Sequence, residues 1–519
     1  MDDYYKSQNN KNKVIDESTL LYLGSRDKNT FENKNYINLK DLTYDEQFYN
    51  DVYKYYHDGG FYNILATNIG AITSSIFGIF FFIFVFCLLD WSQILLCGQD
   101  KDVKDCGDLF DYLKYESPNF FIICCLTLAI STTLYKIISF IFNLRKLIKI
   151  KNFFYNKLHF THKDLQTISW REVIIKISEI TSLSIKEITY IILKKENYLL
   201  SLINNNILQI PQFMYTKQLE MNLERIIFYN IENIDKLDKR KLRNRFIIYG
   251  ILNIIFSIFI FIFISIYFFI SNIDEINSNK TILGGRKYNL YAKRKFRQYN
   301  ELEHFFEKRL NKSYRYALEY IKQFPSTFFE TVGKYLGLIT GSFIGFFLIL
   351  SLLDESILLY VRLFNRSLIF YAGIISAISA ASRGFIRSPE NSIYNAQPVM
   401  EKIISYTHYM PVNWTGRLNT FDIRDEFLSF FNYTTVIFLY DLLSVITTPL
   451  ILIFILSKKS EKIAIFLHQN TVYVKNVGNI CNFADFRSKH IETDEKLIKS
   501  LSVFSENHSE ANLEELKLF

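Results

Sequence analysis

Residues 239–270 read KRKLRNRFIIYGILNIIFSIFIFIFISIYFFI, and the fold turns on how that stretch is placed. Phe246 to Ile270 is twenty-five residues without a charge, long enough to cross the roughly 30 Å hydrocarbon core of a bilayer. Yet both flanks are basic, with Lys239, Arg240, Lys241, Arg243 and Arg245 before it and Lys280, Arg286, Lys287, Lys293, Arg294, Lys295 and Arg297 after it. Positive charge marks the cytosolic side of a span, so a single crossing would strand one basic cluster on the wrong side. A helical hairpin that enters and leaves from one side removes the conflict, with Asn253 and Ser257 as the places where the backbone bends.

Working outward, Ala71 to Leu89 is a second uncharged run, stopped by Asp90 and Trp91. Phe120 to Phe142 is a third; it carries only Lys136 and runs into Arg145, Lys146, Lys149, Lys151 and Lys157. Between these two, residues 99–118 hold three lysines against six acids, the balance of a non-cytosolic loop, so the pair reads as a transmembrane hairpin. Cys97 and Cys106 flank that loop on the oxidising side, where a disulfide and two free thiols are both open. Leu336 to Leu353 and Ser367 to Ser382 make a second hairpin around the short link DESILLYVRLFNR. In the last block, Phe431 to Leu456, Asp441 sits near the middle and Pro449 in the second half. A carboxylate at bilayer depth needs protein or water beside it, which predicts a second broken or re-entrant helix.

The expected fold is all-α: a polytopic membrane protein with four transmembrane helices, two re-entrant helical elements in the cytosolic leaflet and a helical cytosolic domain. Its divisions are a cytosolic N-terminal segment (1–58), the first hairpin (59–142, lumenal loop 92–118), a cytosolic helical region (143–245) and the re-entrant helices (246–271). There follow a cytosolic region (272–334), the second hairpin (335–383), a cytosolic region (384–430), the second re-entrant element (431–457) and a cytosolic C-terminal region (458–519). Four crossings put both termini in the cytosol, and Met1 to Asp58 holds no apolar core before a cleavage site, so no signal peptide is expected. Within the helical region, Ser184-x-x-Glu187 is a capping box ahead of the amphipathic run EITYIILKKENYLLSLI.

Composition agrees. A chain with 49% hydrophobic residues, 49 of them phenylalanine, asks for more burial than a globular surface allows, while long polar stretches hold the mean hydropathy to +0.07. The net charge of +8 gathers at block ends, where orientation and anionic headgroups account for it without nucleic acid. The six cysteines show no CxxC and the histidines no metal spacing beyond His159-x-x-His162, so neither metal nor cofactor is expected. Nothing pairs a nucleophile with a base, and no GxxxxGK[ST] loop exists, so the chain reads as neither an enzyme nor an ATP-driven pump. Gly341-Ser-Phe-Ile-Gly345 lies inside a span and reads as helix packing, and His408 as a satisfied structural histidine.

The apolar blocks and the segments that link them include FYNDVYKYYHDGGFYNIL (48–65), SWREV (169–173), KKENYLLSLIN (194–204), LRNRFIIYGILNIIFSIFIFIF (242–263) and KRKFRQYNELEHFFEKRLNKSY (293–314). GSFIGFFLILSLLDE (341–355), YTHYMPVNW (406–414), RDEF (424–427), DLLSVITTPLILIF (441–454) and VYVKNVGNICNFADF (472–486) continue the series. In this order they resemble the autophagy-related protein nine family. The resemblance implies a domain-swapped homotrimer that scrambles phospholipids without ATP. It further implies lipid supply by a bridge-like lipid transfer protein, other autophagy factors as partners, and a place in Golgi-derived and endosomal vesicles and the autophagosomal or phagophore membrane. Tyr440 and Asp441 stand where the family usually carries an acidic pair, and the segment 273–288 is poorer in charge than in some relatives.

A scramblase needs donors for phosphate along a wet groove. Lys280, Arg286, Lys287, Arg294 and Arg297 are the candidates for its cytosolic mouth, and Asn365, Arg366, Ser376, Ser379 and Arg383 for a path along the fourth span. Ser376, Ser379 and Arg383 recur at helical spacing on one face. In the competing reading the arginines anchor span ends and the serines pack helices. An ion channel or transporter, and a non-transporting scaffold for autophagy factors, are the alternative functions.

Overall fold

The computed structural model describes residues 45–93, 113–114, 119–181, 183–229, 232, 234, 237–271, 285–324, 327–364, 366–383, 395–487 and 494–508. Lys280, Asn365, Cys97 and Cys106 lie outside these residues, as does the side chain of Arg383. In chain order the helices are α1 (Glu46–His57), α2 (Phe61–Ile83), α3 (Phe120–Asn156), α4 (Trp170–Thr181), α5 (Ile185–Ile192), α6 (Lys194–Asn204) and α7 (Lys217–Ile227). Then come α8 (Lys239–Ile255), α9 (Ser257–Ser271), α10 (Leu290–Phe296), α11 (Glu303–Lys322), α12 (Thr327–Leu353), α13 (Glu355–Tyr360) and α14 (Leu368–Arg383). The last are α15 (Ala396–Thr407), α16 (Phe421–Phe430), α17 (Thr434–Leu450), α18 (Ser457–Gln469) and α19 (Glu495–Asn507). The strands β1 (Arg286–Tyr288), β2 (Arg362–Leu363), β3 (Arg366–Ser367), β4 (Phe431–Tyr433), β5 (Thr471–Val474) and β6 (Gly478–Cys481) form three two-stranded antiparallel pairs, β1 with β4, β2 with β3 and β5 with β6.

Four helices among the described residues are long and apolar enough to cross a membrane: Phe61–Leu88, Ile122–Asn156, Thr331–Leu353 and Thr434–Gln469. Three of them bury only 6% of their most apolar window inside the protein, so phenylalanines such as Phe77, Phe80 and Phe142 have lipid as their natural cover. The chain is therefore a mostly helical multi-pass membrane protein, as expected. α14, the expected fourth span, is a 16-residue helix packed along α12. Gly341 and Gly345 of α12 have nothing within 4 Å of where a Cβ would sit, so among the described residues no neighbour packs closely on them.

The two expected re-entrant elements differ. At 246–271 the helix breaks beside Ile255, and α8 and α9 meet at 68°. At 431–457 the helix does not break. α17 runs through Pro449 into a π-helical turn, Ile451–Leu456, and on into α18. Proline removes one backbone donor and crowds the carbonyl four residues back; the widened turn absorbs that misfit without ending the helix.

The remaining helices form a polar body with its own core. One cluster joins α6 and α7 (Tyr198, Leu202, Leu219, Leu223) to Leu452, Leu456, Ile463 and Leu467. A second joins α1 (Tyr49, Val52, Tyr55) to Trp170, Ile188 and the β5–β6 hairpin (Val474, Val477, Ile480). The expected capping box is present: Ser184 accepts from the Glu187 N–H, and the Glu187 carboxylate accepts from the Ser184 N–H at 2.8 Å.

Candidate functional site: a polar stripe along an apolar helix

α17 starts where β4 pairs with β1, with Arg286 opposite Tyr433. The Arg286 guanidinium lies 3.6 Å from the centroid of the Tyr433 ring and donates to the Phe431 carbonyl at 3.2 Å, which fixes it at the mouth of the helix. Thr434, Asp441, Ser444 and Thr448 then follow at i, i+7, i+10 and i+14, which places them on one helical face over about 21 Å of rise. That face meets α7 and the bend between α8 and α9.

The groups along the stripe are hydrogen-bonded unevenly. Ser444 donates to the Gln218 carbonyl oxygen at 2.9 Å, Gln218 donates to Asn253 at 2.8 Å, and Asn253 donates to Asn222 at 3.0 Å. Asn253 also donates to the Tyr249 carbonyl at 2.7 Å, one turn back in α8, which ties the amide network to the bend. By contrast the buried Thr448 hydroxyl has no partner, and among the described residues the half-buried Asp441 carboxylate has neither hydrogen bond nor ion pair. Polar groups in apolar surroundings without protein partners are satisfied by water or by a ligand. Gly250 lets the two helices close beside the stripe: a Cβ there would collide with Cγ1 of Ile453 and sit 3.3 Å from the Pro449 carbonyl oxygen.

Of the sequence candidates, Arg286 and Lys287 sit in β1 at this mouth, and Asn253 and Asp441 lie along the stripe. Arg294 and Arg297 do not. Arg294 holds Glu220 with two hydrogen bonds of 2.8 and 2.9 Å and also pairs with Glu196. Arg297 pairs with Glu303 at 2.9 Å and Glu196 at 3.3 Å. Burial pushes the Glu220 carboxyl up, but Arg294 and Lys217 outweigh it and hold it down at about 2. These two arginines are spent inside the polar body, so they are corrected from headgroup donors to structural groups. Arg366 is exposed in β3, Ser376 is exposed, and Ser379 is buried in α14, which packs along α12. Arg383 ends α14.

The network also explains why two of the quoted stretches occur together. Asn197 of KKENYLLSLIN donates to Asn300 of RQYNELEHFF at 2.8 Å, and the Asn300 N–H donates back at 3.1 Å. Glu301 receives two 2.7 Å bonds from Arg309. Sequence reasoning missed Gln218, Asn222, Ser444 and Thr448; the heptad-like recurrence of Thr434, Asp441 and Thr448 is the signal that finds the stripe. His408, expected to be satisfied, keeps its buried Nδ1 without a partner.

The model of the autophagy protein ATG9 family matches residues 35–487. The autophagy-related protein 9 of Dictyostelium discoideum is 32% identical over 470 residues, covering 85% of this chain and 66% of that protein. The Arabidopsis thaliana protein of the same name is 28% identical over 512 residues, covering 89% and 59%. That of Saccharomyces cerevisiae S288c is 29% identical over 485 residues, covering 86% and 48%. The chain thus spans about half to two thirds of the length of the curated relatives it matches. The cryo-EM structure of Schizosaccharomyces pombe Atg9 is similar with a TM-score of 0.64 at 26% identity, covering 86% of this chain and 99% of that one.

Proposed function

The chain belongs to the autophagy protein ATG9 family, and from that premise we propose that it is an ATP-independent phospholipid scramblase that re-equilibrates lipids between the leaflets of autophagic vesicles and the growing autophagosomal membrane. The observation that carries this reading is the polar stripe from Arg286 through Asp441 to Thr448, set against the bend at Asn253. A headgroup crossing hydrocarbon unaided faces a barrier of several kcal/mol or more, of the same kind as a buried charge. A line of hydroxyl, amide and carboxyl groups lowers it by keeping water and donors beside the phosphate while the acyl chains stay in lipid. Arg286, with Lys287 beside it in β1, supplies the donors at the mouth. Asp441 keeps the stripe wet and repels a resident phosphate, so the headgroup passes rather than stays.

In this reading the protein works as a homotrimer with both termini cytosolic, on Golgi-derived and endosomal vesicles, and it takes lipid from a bridge-like transfer protein. Its family membership supports that setting. The test is leaflet exchange of a fluorescent phospholipid in liposomes holding the purified chain, with a reductant that bleaches the outer leaflet alone. Bleaching well beyond about half without ATP, and slowed by Asp441→Leu or Arg286→Ala, is the expected result. Bleaching that stops at the outer-leaflet fraction in well-incorporated protein sinks scrambling and leaves a scaffold.

A further inference from the structure

A cavity of about 250 Å³ opens where the start of α19, the end of α10 and the turn after α15 meet, away from the stripe. Lys295, Tyr299, His408, Asp494, Lys496 and Lys499 are among the residues that line it. Lys496 is half-buried; it donates to the Lys295 carbonyl oxygen at 2.8 Å, and its ammonium stands 6.0 Å from the centroid of the Tyr299 ring. The carboxylates around the cavity are already engaged: Asp494 caps α19 by accepting from the Lys496 N–H at 2.8 Å, and Glu495 pairs with Lys499 at 2.5 Å. Among the described residues no carboxylate comes within 4.0 Å of the ammonium of Lys295 or Lys496. The buried Nδ1 of His408 adds an unpartnered ring nitrogen in the same wall.

Two partly buried ammonium groups without an ion-pair partner are costly, and burial weakens the hold of each on its proton. Burial, then Lys295 and Arg309, pull Lys496 down to about 7, with only partial relief from Glu301 and Asp494. Burial also lowers Lys295. An anion between them would restore both charges. Two point-like ammonium donors arriving from different elements suit a tetrahedral, multiply charged acceptor better than a flat carboxylate, which favours the planar fork of arginine. The cavity is also larger than a bare phosphate needs, and the engaged Asp494 and Glu495 at its edge offer acceptors to hydroxyl groups.

We propose that this cavity is an anion site that takes a phosphate group, borne on a small polar molecule or on a lipid headgroup, between Lys295 and Lys496. It is independent of the lipid path, since none of its residues lies on the stripe.

The test is calorimetric titration of inorganic phosphate into the full chain in phosphatidylcholine nanodiscs at pH 7.5, in two buffers of different ionisation enthalpy. One-to-one binding is expected, with uptake of up to about one proton per anion as Lys496 regains its charge. Lys295→Gln and Lys496→Met should each weaken binding at least about tenfold. Lys496→Met removes a buried charge in favour of a similar apolar shape, so it should keep the fold, and its melting temperature checks that. Discs that also carry phosphatidylinositol 4-phosphate then separate the sources. Loss of the phosphate heat there assigns the site to a lipid headgroup; an unchanged titration assigns it to a soluble phosphate compound. No heat in the wild-type chain, or an affinity unchanged in both lysine variants, overturns the proposal.

Discussion

The polar body and the apolar helices treat most of their buried charges in opposite ways. Outside the Lys295–Lys496 cavity, the buried ions of the polar body are matched: Lys194 with Glu46, Glu220 and Glu196 with Arg294, Glu303 with Arg297, Glu301 with Arg309. Along α17 the matching stops: Ser444 is linked to the amide chain at Asn253, but Asp441 and Thr448 face no protein partner. A network closed on itself serves the fold and has nothing left to offer a ligand. One left open at the depth of the bilayer is available to whatever passes, and that contrast separates structural arginines from those at the mouth.

The largest test of the contrast is Arg294→Ala, which leaves the buried Glu220 with Lys217 as its one ion-pair partner among the described residues and should cost about 3 kcal/mol. Thermal unfolding in detergent reads the loss, and adding Glu220→Ala should recover part of it. A variant that melts normally yet stops lipid exchange would move Arg294 to the path and break the comparison. Next comes acid. His304, His408 and His508, all in the polar body, are each pushed down to about 4, by burial first and then by neighbouring charge. The unfolded chain binds protons from its ordinary value of 6.5 while the folded chain refuses them to about 4, so stability holds above that window and falls as pH drops through it. Melting followed from pH 7 to 4, with His304→Phe and His508→Phe flattening the fall, would check it.

Gly250→Val probes the junction of the two regions. The new side chain meets Ile453, so a loss of about 1–3 kcal/mol is expected, eased by Ile453→Ala. The smallest stability effect should come from Asp441→Asn, which removes a charge that no partner holds. Its melting should shift by less than about 0.5 kcal/mol while the exchange rate falls. A large loss of stability there would mean Asp441 has a structural partner, and the contrast would lose its sharpest member.

Much of this was legible beforehand. The bend beside Asn253 follows from basic flanks on both sides of an apolar run, which no straight crossing satisfies. The three long apolar helices at 61–88, 122–156 and 331–353 follow from apolar runs long enough to span and nearly free of charge. Pro449 misled, because sequence shows the missing donor but not the π-helical turn that absorbs it. The basic run at 293–297 misled for a different reason: arginine carries the same charge whether it faces a phosphate or a glutamate 74 residues away in sequence. Helical periodicity held the Thr434–Thr448 stripe throughout, but the amides of Gln218 and Asn222 reach it from another element.

The second core cluster carries a consequence for biosynthesis. It joins Tyr49 and Val52, near the start of the described chain, to Val474, Val477 and Ile480, near its end, while Glu46 reaches Lys194 beside Gly478. Helices α4 and α5 can form as soon as they leave the ribosome, yet the cluster that Val173, Ile177 and Ile188 share with α1 and the end of α3 stays incomplete until the β5–β6 hairpin has been made. Translation at roughly 5–20 residues per second then leaves a window of many seconds in which those faces are open to chaperones or to the same segments of a neighbouring nascent chain. Closing the body last makes the final quarter of the chain the point at which quality control can tell a finished molecule from an unfinished one.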